Sequence, residues 1–257
     1  MSISTDAELQ GIRRISEIVG TTLKKMREHA APGMSTKELD EWGGKLLREL
    51  GAKSAPKLTY GFPGWTCISV NHEIAHGIPS AKTILKEGDL LNIDVSAELD
   101  GYWADNGGSF VLGQDLHRHE PLVAASKQIL FKAVQEIKGG VKIADIGGLI
   151  ESEAKKAGYN VIRNLVGHGV GRSLHESPRE IPCFYDKANR NRFKTNSVVA
   201  VETFISTAAS YAHEQEDGWT LIAKDGSYVA QHEHTILITD GEPVILTQAN
   251  GIWSSPV

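Results

Sequence analysis

Apolar residues near the start of the chain recur at spacings of three and four: Leu9, Ile12, Ile15, Val19, Leu23 and Met26. That period puts them on one face of an α-helix. Thr5-Asp6-Ala7-Glu8 precedes the run as a capping box, and Pro32-Gly33 stops it. The spacing predicts an amphipathic helix of about six turns. Ser35-Thr36-Lys37-Glu38 is a second capping box. It opens a helix with Leu39, Trp42, Leu46, Leu47 and Leu50 on one side and Gly51 at its end. Residues 52–112 then read as strands and turns. A β-rich stretch covers 66–70, and 89–97 and 102–112 flank Glu98-Leu99-Asp100-Gly101, read as a four-residue hairpin loop. Helices return near 121–137 and 143–157, and strands follow near 161–166, 198–206, 218–224 and 227–239.

The pattern repeats. A shift of 107 positions carries Gly33-Met34 onto Gly140-Val141, Glu38-Leu39 onto Asp145-Ile146, Trp42 onto Leu149, and Leu50-Gly51 onto Ala157-Gly158 without a gap. Both stretches follow a long helix and precede a strand-rich region. Two related α/β halves sharing one sheet are expected, with a site at the seam between them. No Pro/Ser-rich linker separates the halves, so residues 1–257 are read as a single domain with half-repeats at about 1–113 and 114–257.

Composition narrows the class. The 257 residues are 40% hydrophobic and 23% charged, which suits a packed globular chain rather than a disordered one. Net charge is −5 with no long basic run, which argues against a nucleic-acid partner. No apolar run approaches the ~18 residues of a membrane span, and the N-terminus lacks a signal-peptide core. Cys67 and Cys183 belong to no CxxC pair, so a thiolate zinc site is excluded, while a single disulfide stays open. A soluble, intracellular protein is expected.

Several carboxylates lie within apolar runs, where they either face solvent on the outer side of a strand or belong to a paired or coordinated site. Asp94 sits inside Leu90-Leu91-Asn92-Ile93-Asp94-Val95, and Asp105 in the next strand. A four-residue loop over 98–101 would set Asp94 directly opposite Asp105. Two like charges at roughly 4.5–5.5 Å are unfavourable unless a cation lies between them. Glu202 interrupts Val198-Val199-Ala200-Val201 and Phe204-Ile205. In Gln231-His232-Glu233-His234-Thr235, alternation puts Gln231, Glu233 and Thr235 on one face and both histidines on the other. A buried carboxylate must be paired or coordinated.

Three glycines surround one imidazole in Gly167-His168-Gly169-Val170-Gly171, which suits close backbone approach. A phosphate-cradling loop would need a following Lys-Ser/Thr and helix, and neither is present. His72-Glu73-Ile74-Ala75-His76 satisfies H-E-x-x-H. The β-rich segment before it and Gly77-Ile78-Pro79 after it leave no room for the helix that zincin chemistry requires.

Taken in order, Ser69-Val70-Asn71, His76-Gly77-Ile78-Pro79, Asn92-Ile93-Asp94-Val95, Ala104-Asp105, Gly167-His168-Gly169-Val170-Gly171, Val201-Glu202 and Gln231-His232-Glu233-His234-Thr235 resemble the type I methionine aminopeptidases of the bacterial kind, in the peptidase M24 family. The similarity runs from about residue 8 to about 247, nearly the whole chain. It implies the pita-bread fold, an α/β (α+β) architecture of two pseudo-symmetric halves around a curved antiparallel sheet covered by helices. It also implies removal of initiator methionine before a small second residue. Two divalent ions are expected (Co²⁺, Mn²⁺ or Fe²⁺, with Zn²⁺ possible), held by Asp94, Asp105, His168, Glu202 and Glu233, with Asp105 and Glu233 bridging. Glu202 would act as general base, His175 would donate to the developing oxyanion, and His76 would contact the scissile amide. Aligned on the same motifs, Thr59, Phe62, Cys67, Leu174 and Trp219 would form the methionine pocket. Partners would be peptide and nascent-chain N-termini, with ribosome contact expected, for a cytoplasmic monomer.

Two positions depart from the family pattern. Asn106 follows Asp105 where Thr is usual, and Thr203 follows Glu202 where Pro is usual. The first is expected to alter the metal surroundings, the second to loosen the strand bearing the base. The rival activities are an Xaa-Pro exopeptidase, which usually carries a large extra N-terminal domain, and a non-catalytic binding module, which tends to lose the ligands kept here.

Overall fold

The computed structural model describes residues 1–253. In the first half come α1 (Asp6–His29), α2 (Thr36–Glu49), β1 (Lys53–Ser54), α3 (Ala55–Tyr60), β2 (Cys67–Val70), β3 (Glu73–Ala75), β4 (Leu90–Leu99) and β5 (Tyr102–Val111). The second half holds α4 (Glu120–Gln135), α5 (Ile143–Lys156), β6 (Asn160–Val161), β7 (Val166–Gly169), β8 (Glu176–Pro182) and β9 (Val198–Ser206). It continues with β10 (His213–Glu214), β11 (Leu221–Ile222), β12 (Val229–Leu237) and β13 (Val244–Ile245).

Both predicted capping boxes form. The Thr5 and Ser35 hydroxyls accept from the Glu8 and Glu38 amides, and each Glu carboxylate accepts from the cap residue's own N–H. The main sheet runs β1-β4-β5-β12-β9-β7-β8, antiparallel throughout. The repeat is visible in it. β1 pairs with the end of β4 as β6 pairs with the end of β9, and each position of β1 lies 107 before its counterpart in β6. Helices α2 and α5 keep the same offset. The halves meet where β5 pairs with β12.

One apolar cluster packs α1 and α2 onto β4, through Ile12, Ile15, Leu39, Leu47, Leu91 and Ile93. A matching cluster packs α4 and α5 onto β9 and β12, through Leu130, Ile146, Ile150, Val199, Ile205 and Ile236. Helices thus cover the outer face of the sheet, so every residue of β12 is buried on both sides. No helix among the described residues is long and apolar enough to cross a membrane. Both cysteines are buried and free.

Three expectations need correction. The β4–β5 connection is a two-residue turn, because Leu99 pairs with Tyr102. Asp100 (φ 53°) and Gly101 (φ 81°) supply the two positive φ values that match the twist of the flanking strands. Asp94 therefore faces Gly107, and Asp105 faces Ser96. A slip of two residues preserves the face, so the two carboxylates remain diagonal neighbours on one side of the sheet. Second, the strand expected over 161–166 is two pieces, and His168 lies on β7 itself. Third, residues 52–112 hold the short helix α3 besides strands and turns, and a strand, β8, appears where the pattern predicts none. β8 forms because β7 offers it a partner.

Candidate metal centre

Five successive strands of the sheet each contribute one side chain to the same cavity. Asp94 comes from β4, Asp105 from β5, Glu233 from β12, Glu202 from β9 and His168 from β7. Register does the alignment: Glu233 pairs with Glu202, and His168 pairs with Ala200, two positions along the same face. Ligand-type atoms of Asp105, His168 and Glu233 all lie within 4.8 Å of one another. The glycines beside His168 are set by close approach. A Cβ at Gly167 would press on Ala200 O, and one at Gly169 on Ser177 O.

His168 Nδ1 lies 3.1 Å from Gly169 O, to which it donates, so Nε2 presents its lone pair. That Nε2 is 3.7 Å from Asp105 Oδ2. Gln231 Nε2 donates to Glu233 (3.1 Å) and Glu202 (3.3 Å), and Asn92 Nδ2 donates to Gln231 Oε1 (2.8 Å). This chain of amides orients two of the carboxylates.

Charge is the dominant feature. Burial, reinforced by the neighbouring carboxylates, raises Asp94 and Glu233 well above the usual range. Glu202 is pushed up to about 8 by burial and by Asp105. Burial lifts Asp105 to about 6. The same burial depresses His168 to about 3. Asp105 Oδ1 is buried without a hydrogen-bond partner. Four converging carboxylates, a neutral imidazole and an unpartnered buried oxygen are the donor set of a hard or borderline divalent cation. The residues fit such ions.

The cavity, of about 490 Å³, also takes in His76, His175, Tyr60, Phe62, Cys67, Leu174 and Trp219. His76 sits just after β3 at φ 55°, a strained setting for a non-glycine residue. The H-E-x-x-H segment is accordingly a strand and turn, not a helix. His175 packs against His168, with ring centroids 4.0 Å apart and the ring planes tilted by 50°. Burial lowers the pKa of His76 and of His175, the latter also through His76. Phe62 meets Trp219 edge-on at 5.2 Å, forming an apolar wall.

Thr59 does not join this wall. It is exposed on α3, and its neighbour Tyr60 lines the cavity instead. A six-residue helix turns adjacent side chains apart, which motif alignment does not register. Tyr60, Asn92 and Gln231 also line the cavity, and the sequence motifs assign them no role there. For Gln231 the alternation with Glu233 was a usable signal, and for Tyr60 there was none.

Residues 10–240 match metallopeptidase family M24. The chain belongs to that family. Among M24 relatives it is 49% identical to methionine aminopeptidase 2 of Bacillus subtilis, covering 96% of this chain and all of the relative. A methionine aminopeptidase from Thermotoga maritima superposes with a TM-score of 0.91 at 34% identity, covering 96% of this chain and 99% of the other. The prolidase of Pyrococcus furiosus shares the fold (TM-score 0.76, 22% identity, 95% of this chain), but this chain spans 65% of it. The M24 chain thus has the pita-bread architecture that the family resemblance implied, in agreement with its two-half repeat.

Proposed function

We propose that this chain is a methionine aminopeptidase that removes N-terminal methionine from peptides and nascent chains with a small second residue, and that residues 1–257 form one catalytic domain. The observation that carries this is the cavity itself, in which a carboxylate-and-imidazole floor adjoins an apolar wall of Phe62, Cys67, Leu174 and Trp219. An unbranched thioether suits that wall, since sulfur packs favourably against aromatic edges.

In this reading Asp94, Asp105, His168, Glu202 and Glu233 would hold two divalent ions; the donors suit Mn²⁺, Fe²⁺ and Co²⁺ best and would accept Zn²⁺. When bound, such ions supply Lewis-acid polarisation and a more acidic water. Glu202 accepts the water's proton. Its backbone lies in the middle of β9, paired to Glu233, so its carboxylate is held rather than searching. His175 donates to the developing oxyanion. His76 contacts the scissile amide nitrogen and helps protonate the leaving amine. The substrate is an exposed peptide N-terminus; a cytoplasmic monomer that meets nascent chains at the ribosome completes the proposal.

The test is methionine release from Met-Gly-Met after chelation and separate return of Mn²⁺, Fe²⁺, Co²⁺ or Zn²⁺, with an Xaa-Pro peptide alongside. Metal-dependent release is expected, and Glu202→Gln should lower kcat by roughly 10²–10⁴-fold, the usual worth of a positioned base. Cleavage of the Xaa-Pro peptide alone would overturn the proposal.

A further inference from the structure

Tyr60 and His175 come from opposite halves of the repeat and meet across the cavity. Tyr60 closes α3, and His175 directly precedes β8. The phenol oxygen lies 2.6 Å from His175 Nδ1, a short hydrogen bond, while the ring centroids stand 5.9 Å apart at 49°. The contact is therefore made by the hydroxyl, not by stacking. Among the described residues the phenol makes no other hydrogen bond, and its ring is half exposed at the cavity mouth.

The direction of this bond decides what His175 can do. A neutral imidazole has one donor and one acceptor nitrogen, and a partner on one fixes the other. If Nδ1–H donated to the phenol oxygen, the phenol proton would be left over and Nε2 would be a bare lone pair. A phenol is a far stronger acid than a neutral imidazole N–H, so the phenol is the donor. Burial also holds the Tyr60 hydroxyl above its ordinary pKa, which keeps its proton in place. Nδ1 then accepts, and Nε2 carries the ring proton.

We propose that Tyr60 is a positioning residue: by donating to Nδ1 it locks His175 in the tautomer and ring orientation in which Nε2–H is the donor offered to substrate. This rests on the proposed aminopeptidase reaction, in which His175 donates to a developing oxyanion. The wrong tautomer would present a lone pair to that negative charge and oppose the step. Because the bond spans the two halves, it also ties α3 to the loop before β8, so ring orientation depends on both being in place. The role is confined to a step where charge develops, and ground-state binding of the methionine side chain does not use it.

Tyr60→Phe removes the hydroxyl and keeps the ring. In zinc-loaded protein with ¹⁵N-labelled histidine, long-range ¹H–¹⁵N spectra should show His175, assigned through its loss in His175→Gln, with Nε2 protonated and Nδ1 accepting. In Tyr60→Phe the Nδ1 signal should move toward tautomer averaging. In peptide hydrolysis Tyr60→Phe should lower kcat about tenfold, the scale of one lost hydrogen bond, with KM within about twofold. In a His175→Ala background the same change should have no further effect. A protonated Nδ1 in the wild type, or a full Tyr60→Phe penalty without His175, would overturn the inference. If the wild type releases no methionine with any metal, the proposed function fails, and the spectra still decide the tautomer.

Discussion

Asn106 is the residue where the site's surroundings depart most from the pattern its motifs imply. It follows Asp105 on β5 and so points away from the cavity. Its Nδ2 donates to Val95 O at 3.0 Å, and its Oδ1 accepts from Asn250 Nδ2 at 3.1 Å, all fully buried. Asn106 is thus a brace between β4, β5 and the turn near the end of the described chain. Asn106→Ala should destabilise the fold by about 1–3 kcal/mol, since it removes two buried hydrogen bonds. Chemical denaturation would measure this, and kcat should fall far less than in Glu202→Gln. Thr203 behaves similarly. Its hydroxyl lies 3.1 Å from Ser126 Oγ, and β9 pairs without interruption through it. The expected loosening of the strand that bears Glu202 does not occur, because a threonine keeps the ladder N–H that proline lacks.

Helix ends and the β4–β5 turn are where single residues set whole elements. Thr5→Ala removes one side of the α1 capping box and should cost about 1 kcal/mol, lowering Tm by about 2–4 °C for a chain of this size. An unchanged Tm in calorimetry would show the cap to be dispensable. Gly101 at φ 81° occupies the left-handed region. Gly101→Ala should cost about 1–2 kcal/mol, and more if the turn reopens and lets β4 slip against β5. A one-residue slip would carry Asp105 off the cavity face, so metal binding should weaken together with stability. Isothermal titration with Mn²⁺ on the folded variant would detect this.

Across the molecule, the sheet gathers like charges that only a cation can reconcile, which makes stability depend jointly on metal and pH. Glu202, held at about 8, and Asp94 and Glu233, raised well above the usual carboxylate range by burial, bind more protons folded than unfolded. Chelator-stripped protein should therefore lose stability as pH rises from 7 to 8. His168, His232 and His234, each depressed to about 3, act with the opposite sign, but below their ordinary value of 6.5. Divalent ions should raise Tm more at pH 8 than at pH 7, because at the lower pH binding must first displace protons. Differential scanning calorimetry at the two pH values, with and without Mn²⁺, tests this; a stripped protein that gains stability on going to pH 8 would contradict the charge argument.

Much of this architecture was readable from residue order. Capping boxes and a 3.6-residue period define α1 and α2 locally, and a repeat offset that survives into α5 and β6 already implied two halves on one sheet. Glu202 and Glu233 stood out because a carboxylate inside an apolar run has few stable environments. Other features depend on which strands become neighbours. The β4–β5 register turned on whether Leu99 and Tyr102 pair, a two-residue difference that hydrophobic alternation cannot distinguish. β8 exists only because β7 presents an edge. Tyr60 reaches His175 across 115 residues of chain, and no local pattern encodes that meeting. Periodicity is a property of near neighbours along the chain, whereas a hydrogen bond between halves is a property of the packed whole.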